Sequence, residues 1–168
     1  METAPCPKVD AESMNNAVFS CAEGGCNIVS AILGKERTPM LGDVVELSIV
    51  VRNLDEAVAR FTRLFGLKVH TRGESKEFGF KNAILPTGIG HIELMEPTDS
   101  TKAVGKFLAR NGEGVYLVGF ECRDIPGAVK KLRADGVKVD SPRDDIAWVH
   151  PRETHGLFVE LRHRESYD

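Results

Sequence analysis

The chain has 168 residues, 42% of them apolar, which suits one domain or two small modules sharing a core. Its 22 basic and 25 acidic residues leave no basic field to hold nucleic acid by its phosphates. No apolar run approaches membrane-spanning length, and the N-terminal "METAPCPKVDAES" lacks the basic-then-apolar layout of a signal peptide. The expectation is a cytoplasmic protein with no nucleic-acid or membrane partner.

Residues 1–43 show no sustained period. "NIVSAILG" is long enough for a helical turn or two, but "EGG" and "KERTPMLGD" fence it in. This reads as an N-terminal extension, partly disordered or packed as an arm on a partner subunit. Of the four cysteines, Cys6, Cys21 and Cys26 lie here and Cys122 lies later. "CAEGGC" has no histidine or further cysteine nearby to complete a zinc site, so unpaired thiols are expected.

From Val44 the pattern sharpens. "VVELSIVV" is a strand rich in β-branched residues. "NLDEAVARFTRLFG" is a helix, with Asn53 as N-cap, Leu54, Ala57, Val58, Phe61 and Leu64-Phe65 on one face, and Gly66 as terminator. "LKVHTR", "EFGFKNAIL" and "GHIELME" read as three more strands. A connector, "PTDSTKAVGKFLARNGEG", carries a helical stripe of Ala103, Val104, Phe107 and Leu108, closed by Gly112 and Gly114. "GVYLVGFEC" is again a strand and "DIPGAVKKLRADG" again a helix, capped by Asp124 and ended at Gly136. "VKVD", "IAWVHP" and "GLFVELRH" are the closing strands.

The second half therefore repeats the first. Arg52 falls on Arg123, Leu54 on Ile125, and Ala57-Val58 on Ala128-Val129, which puts Glu46 on Leu117. Likewise "HIELME" falls on "LFVELRH", with Glu93 on Glu160. The predicted fold is α+β: two βαβββ modules (44–97 and 115–163, joined by 98–114) within a domain over 44–163. Each module has a sheet with an apolar face to cover, so a pseudo-two-fold pair forms a curled eight-stranded cleft or barrel. Side chains alternate along a strand, so Glu46, Ser48 and Val50 share one face and His91, Glu93 and Met95 another. The repeat alone predicts that Glu46, Glu93 and Glu160 converge. Three carboxylates in one cleft repel unless a cation joins them or one takes up a proton through a raised pKa.

At these residues the chain resembles the vicinal-oxygen-chelate superfamily, which includes glyoxalases, extradiol dioxygenases and bleomycin resistance proteins. It is most similar to the methylmalonyl-CoA epimerase branch. "IELMEPTDSTKAVGKFLARNGEGV" and "WVHPRETHGLFVEL" carry the likeness, which runs from about Val44 to His163. The resemblance implies a metal-assisted epimerase that moves a proton at the carbon next to a carbonyl. Its default substrate is methylmalonyl-CoA or a related acyl-CoA, with a cyclic sugar-like ketone as a variant. It implies Glu77 and Glu160 as the two catalytic bases, and Glu46, Glu93 and Glu160 around a divalent ion. The two histidines of the family's metal set stand here as Glu46 and Leu117. An oxygen-rich donor set favours Mg²⁺, Mn²⁺ or Ca²⁺ over softer ions, and Co²⁺ stands with Mg²⁺ and Mn²⁺ among the candidate ions. The resemblance further implies a small-molecule substrate and a homodimer. A metal-free ligand-binding protein of the same fold and a glyoxalase-like lyase are the alternatives.

Each residue also has a plainer reading. Glu46 suits a solvated strand end, Leu117 core packing, and Glu77 an ordinary surface position in the charged turn "ESKE". His91 reads as a strand-end or cleft-lining residue and His150 as structural in its His-Pro turn. Trp148 reads as cleft lining or core filling, with core filling the plainer, and Cys122 as a small buried hydrophobe. His155 and His163 read as surface residues.

Overall fold

The computed structural model describes residues 39–165. The segment "NIVSAILG", with Cys6, Cys21 and Cys26, lies outside the described residues. From Val44 the element order is β1 (Val44–Val50), α1 (Leu54–Phe65), β2 (Thr71–Ser75), β3 (Phe80–Pro86), β4 (His91–Pro97), α2 (Ala103–Asn111), β5 (Gly114–Glu121), α3 (Ile125–Ala134), β6 (Val139–Arg143), β7 (Ile146–Val149) and β8 (Val159–Arg162). Two βαβββ units joined by a helix are thus present. The chain joins the sheet slightly before β1: the Gly42 amide donates to the Glu121 carbonyl at 2.8 Å, and the Glu121 amide donates to that of Asp43 at 2.8 Å.

The helix signals act as read. The Asn53 side chain accepts the Glu56 amide, and Gly66 ends α1 at φ 70° in the left-handed region. The Asp124 side chain accepts the Gly127 amide to start α3. One reading is corrected at the end of α1: Leu64 and Phe65 are exposed, because the face that packs on the sheet is carried by Leu54 and Val58.

All eight strands form one sheet in the order β2-β3-β4-β1-β5-β8-β7-β6. The two modules meet at β1 and β5, antiparallel, with Glu46 opposite Gly119, Leu47 opposite Val118 and Ser48 opposite Leu117. Since Glu46 is the repeat partner of Leu117 and Ser48 of Gly119, this register places the pseudo-two-fold axis at the Leu47–Val118 pair. Within each module the first strand pairs in parallel with the last: Ser48 faces Glu93, and Gly119 faces Glu160.

Two helices cover the convex face. Helix α1 lies over Ala83, Leu85 and Leu94 of the first module, and α3 over Val139, Ala147, Val149, Val159 and Leu161 of the second. Helix α2 packs instead on the concave side, where Val104 meets Val50 and Met95. The sheet is strongly curled. In sheet order β3 and β7 stand five spacings apart, about 24 Å if flat. Yet Phe78, just before β3, meets Trp148 of β7 edge to face with ring centroids 5.9 Å apart. The two flanks therefore close over a cavity.

Candidate active site

That cavity, of about 340 Å³, has aromatic walls from Phe78, Phe80, Tyr116, Trp148 and Phe158. Tyr116 links the α2 side to the β8 side, 5.2 Å from Phe107 and 5.4 Å from Phe158 between ring centroids. Its polar floor is a single network that crosses the sheet.

The network starts on β3, where the Asn82 amide donates to Glu93 Oε1 at 2.6 Å. Ser48 Oγ lies 2.8 Å from Glu93 Oε2 and 2.6 Å from Glu46 Oε1. A hydroxyl carries one hydrogen, so it serves one of these carboxyls, and the other contact closes only with a further proton held in the group. Glu46 Oε2 is buried and accepts no well-aligned hydrogen bond. It is flanked instead by the Arg162 guanidinium and by His91 Nε2 at 3.4 Å. Burial holds the His91 pKa below its ordinary value, against the opposing fields of Glu165 and Glu93. Arg162 Nη1 also lies 3.4 Å from Glu160 Oε1, and Nη2 contacts Glu165. On β7, the indole of Trp148 closes the row by donating to Glu160 Oε2 at 2.6 Å.

Arg162 reaches Glu46 because β5 between them carries glycine. A Cβ on Gly119 would stand 2.7 Å from Glu46 Cβ and 3.2 Å from Arg162 Cδ, so any side chain there would crowd the pair.

Glu160 is a strongly perturbed carboxyl. It is 5% exposed, and desolvation raises its pKa from 4.5 to about 7, with the Trp148 hydrogen bond opposing and the charge of Glu93 adding to the rise. A carboxyl tuned to this range exchanges a proton readily at neutral pH.

The fold brings Glu46, Glu93 and Glu160 together on the concave floor, and Glu46 is 4% exposed rather than a solvated strand end. Glu77 lies in the exposed turn between β2 and β3, beside Phe78, which lines the cavity. Of the two readings of Trp148 the cleft-lining one holds, since it lines the cavity and donates to Glu160. Leu117, 6% exposed, forms part of the cavity wall. His150 accepts the Arg152 amide and starts the turn after β7. Cys122 is buried, and burial pushes its thiol pKa up. Sequence reasoning assigned no role to Arg162, Ser48 or Asn82. The signal for Arg162 was an arginine two residues beyond Glu160, hence on the same inward face.

The donor set does not fit the divalent ion that the resemblance implies. Among the described residues no group of three or more His, Cys, Asp or Glu side chains is spaced to hold a metal ion, although Glu46, Glu93 and Glu160 share the floor. A guanidinium stands between Glu46 and Glu160, where a dication would be repelled.

Comparison with known proteins agrees with this architecture. The Glyoxalase/Bleomycin resistance protein/Dioxygenase superfamily profile matches residues 46–148. The mitochondrial methylmalonyl-CoA epimerase of Dictyostelium discoideum is 27% identical over 89% of this chain and 93% of its own. An ethylmalonyl-CoA/methylmalonyl-CoA epimerase of Cereibacter sphaeroides is 24% identical over 73% of this chain and 98% of its own. Among solved structures, a variant of Streptomyces coelicolor methylmalonyl-CoA epimerase in complex with 2-nitronate-propionyl-CoA superposes with TM-score 0.70 and 30% identity, covering 75% of this chain and 99% of that one. The chain belongs to the Glyoxalase/Bleomycin resistance protein/Dioxygenase superfamily, on the methylmalonyl-CoA epimerase branch.

Proposed function

We propose that the chain is an epimerase that inverts the carbon next to a thioester carbonyl, acting on methylmalonyl-CoA or a related acyl-CoA. The observation that carries this reading is Glu160, a carboxyl at the base of an aromatic cleft with its pKa raised to about 7. Glu93 is its repeat partner on the other side of the axis, and together they supply two proton-transfer groups. One carboxylate removes the hydrogen from the substrate carbon, and the electron pair passes to the thioester oxygen as an enolate. The other carboxyl returns a proton to the opposite face. Asn82 and Ser48 orient Glu93, and Trp148 orients Glu160. The aromatic walls keep bulk water from the enolate.

Glu77 has no role in this scheme, nor does a divalent ion. The named substrates of the relatives support the acyl-CoA choice. Among the described residues no helix is long and apolar enough to cross a membrane, and the proposal takes the protein as cytoplasmic. It also takes it as a homodimer, since β2 and β6 leave two strand edges for pairing.

The test is incubation of each methylmalonyl-CoA epimer in D₂O. Deuterium at the α-carbon together with inversion supports the proposal. Loss of the metal-donor set favours a second reading, a ligand-binding protein of the same fold. That reading predicts saturable acyl-CoA binding with no exchange.

A further inference from the structure

We propose that the Arg162 guanidinium stands in for a divalent ion in this site, supplying the positive charge for the enolate oxygen, so that the enzyme works without metal. The inference rests on the epimerase reading for its reaction, and on the geometry of the floor for its site.

Arg162 is a built-in feature of the cavity. Its side chain is 17% exposed, lines the cleft, and contacts both Glu46 and Glu160 through Nη1. Gly119 leaves the space that its stem crosses to reach Glu46. Leu117, opposite Ser48 across the strand pair, offers no metal donor. The floor holds three carboxyls, the His91 imidazole and this guanidinium. Enolate formation moves negative charge from the carboxylate that takes the proton onto the thioester oxygen, and a preorganised cation beside that oxygen lowers the cost. An arginine gives that charge permanently and through directed N–H donors. Its link to Glu46 holds the guanidinium in place against the cavity.

Three measurements on the full chain decide the matter. Metal analysis of wild-type protein grown with added Mn²⁺ and Co²⁺ is expected to find a substoichiometric content; one equivalent of tightly held ion overturns the proposal. α-Proton exchange in D₂O is expected to be unchanged by chelator and by added Mn²⁺ or Co²⁺. It should fall about 10²–10³-fold in Arg162→Met, with partial rescue in Arg162→Lys. Exchange abolished by chelator and restored by Mn²⁺ overturns the proposal, as does undiminished exchange in a folded Arg162→Met. If the wild-type protein exchanges no α-proton under any condition, the epimerase reading fails. Calorimetric titration with Mn²⁺ then still decides the site: no saturable binding to wild type supports the guanidinium as the resident cation, and tight binding overturns it.

Discussion

Burial of Glu160 should be visible in the pH dependence of folding. Its pKa is raised from 4.5 to about 7, so between those values the unfolded chain releases this proton while the folded chain keeps it. Stability then falls as pH rises through that window. At about 1.4 kcal/mol per pH unit, the full loss is about 3 kcal/mol. Below pH 4.5 both states hold the proton, and above pH 7 both have lost it, so the contribution is constant outside the window. Glu160→Gln keeps the size and an oxygen for the Trp148 indole but does not titrate. The difference between wild type and Glu160→Gln in urea-unfolding free energy should therefore shrink by about 3 kcal/mol, to the wild type's disadvantage, from pH 4.5 to 7.5. Trp148 is the single tryptophan of the chain and donates to Glu160, so its emission reports the same titration directly. A wild-type emission midpoint near 7 that disappears in Glu160→Gln supports the account. A midpoint in the ordinary carboxylate range, or one that survives the substitution, refutes it.

The remaining predictions concern the neighbours of this carboxyl. Gly119→Ala places a Cβ 2.7 Å from Glu46 Cβ; it should destabilise by about 1–3 kcal/mol, lowering Tm by about 3–10 °C in a melting curve. Trp148→Phe removes a hydrogen bond that favours the ionised form of Glu160. The base limb of its pH–rate profile should therefore move to higher pH. Glu77→Ala, in an exposed turn, should leave exchange unchanged and stability within about 0.5 kcal/mol.

The repeat made the fold legible. The alignment of Arg52 with Arg123 and Leu54 with Ile125 fixes where the halves meet, and the observed β1–β5 register follows that symmetry. The outer strands were harder to read. Strand β2 runs over "TRGES", not "LKVHTR", because it is an exposed edge strand with no apolar alternation, while Leu67 and Val69 ahead of it pack against the first-module core. Strand β6, "VDSPR", is likewise an edge strand, carrying Pro142. Of the site, the meeting of Glu46, Glu93 and Glu160 followed from alternation and symmetry. The inward face of Arg162 follows from the same alternation, but its contact with Glu46 does not, because that contact spans an intervening strand and depends on the missing side chain at Gly119. Charge balance did suggest either a cation or a raised pKa; the floor has both, with the cation built into the chain.

A crystal structure of the wild-type protein with 2-nitronate-propionyl-CoA, grown in the presence of Mn²⁺, tests the central claim most directly. The account predicts the nitronate between Glu93 and Glu160, hydrogen-bonded to the Arg162 guanidinium, with no ion beside it. An ion coordinated by Glu46, Glu93 and Glu160, with Arg162 turned out of the cavity, would contradict it.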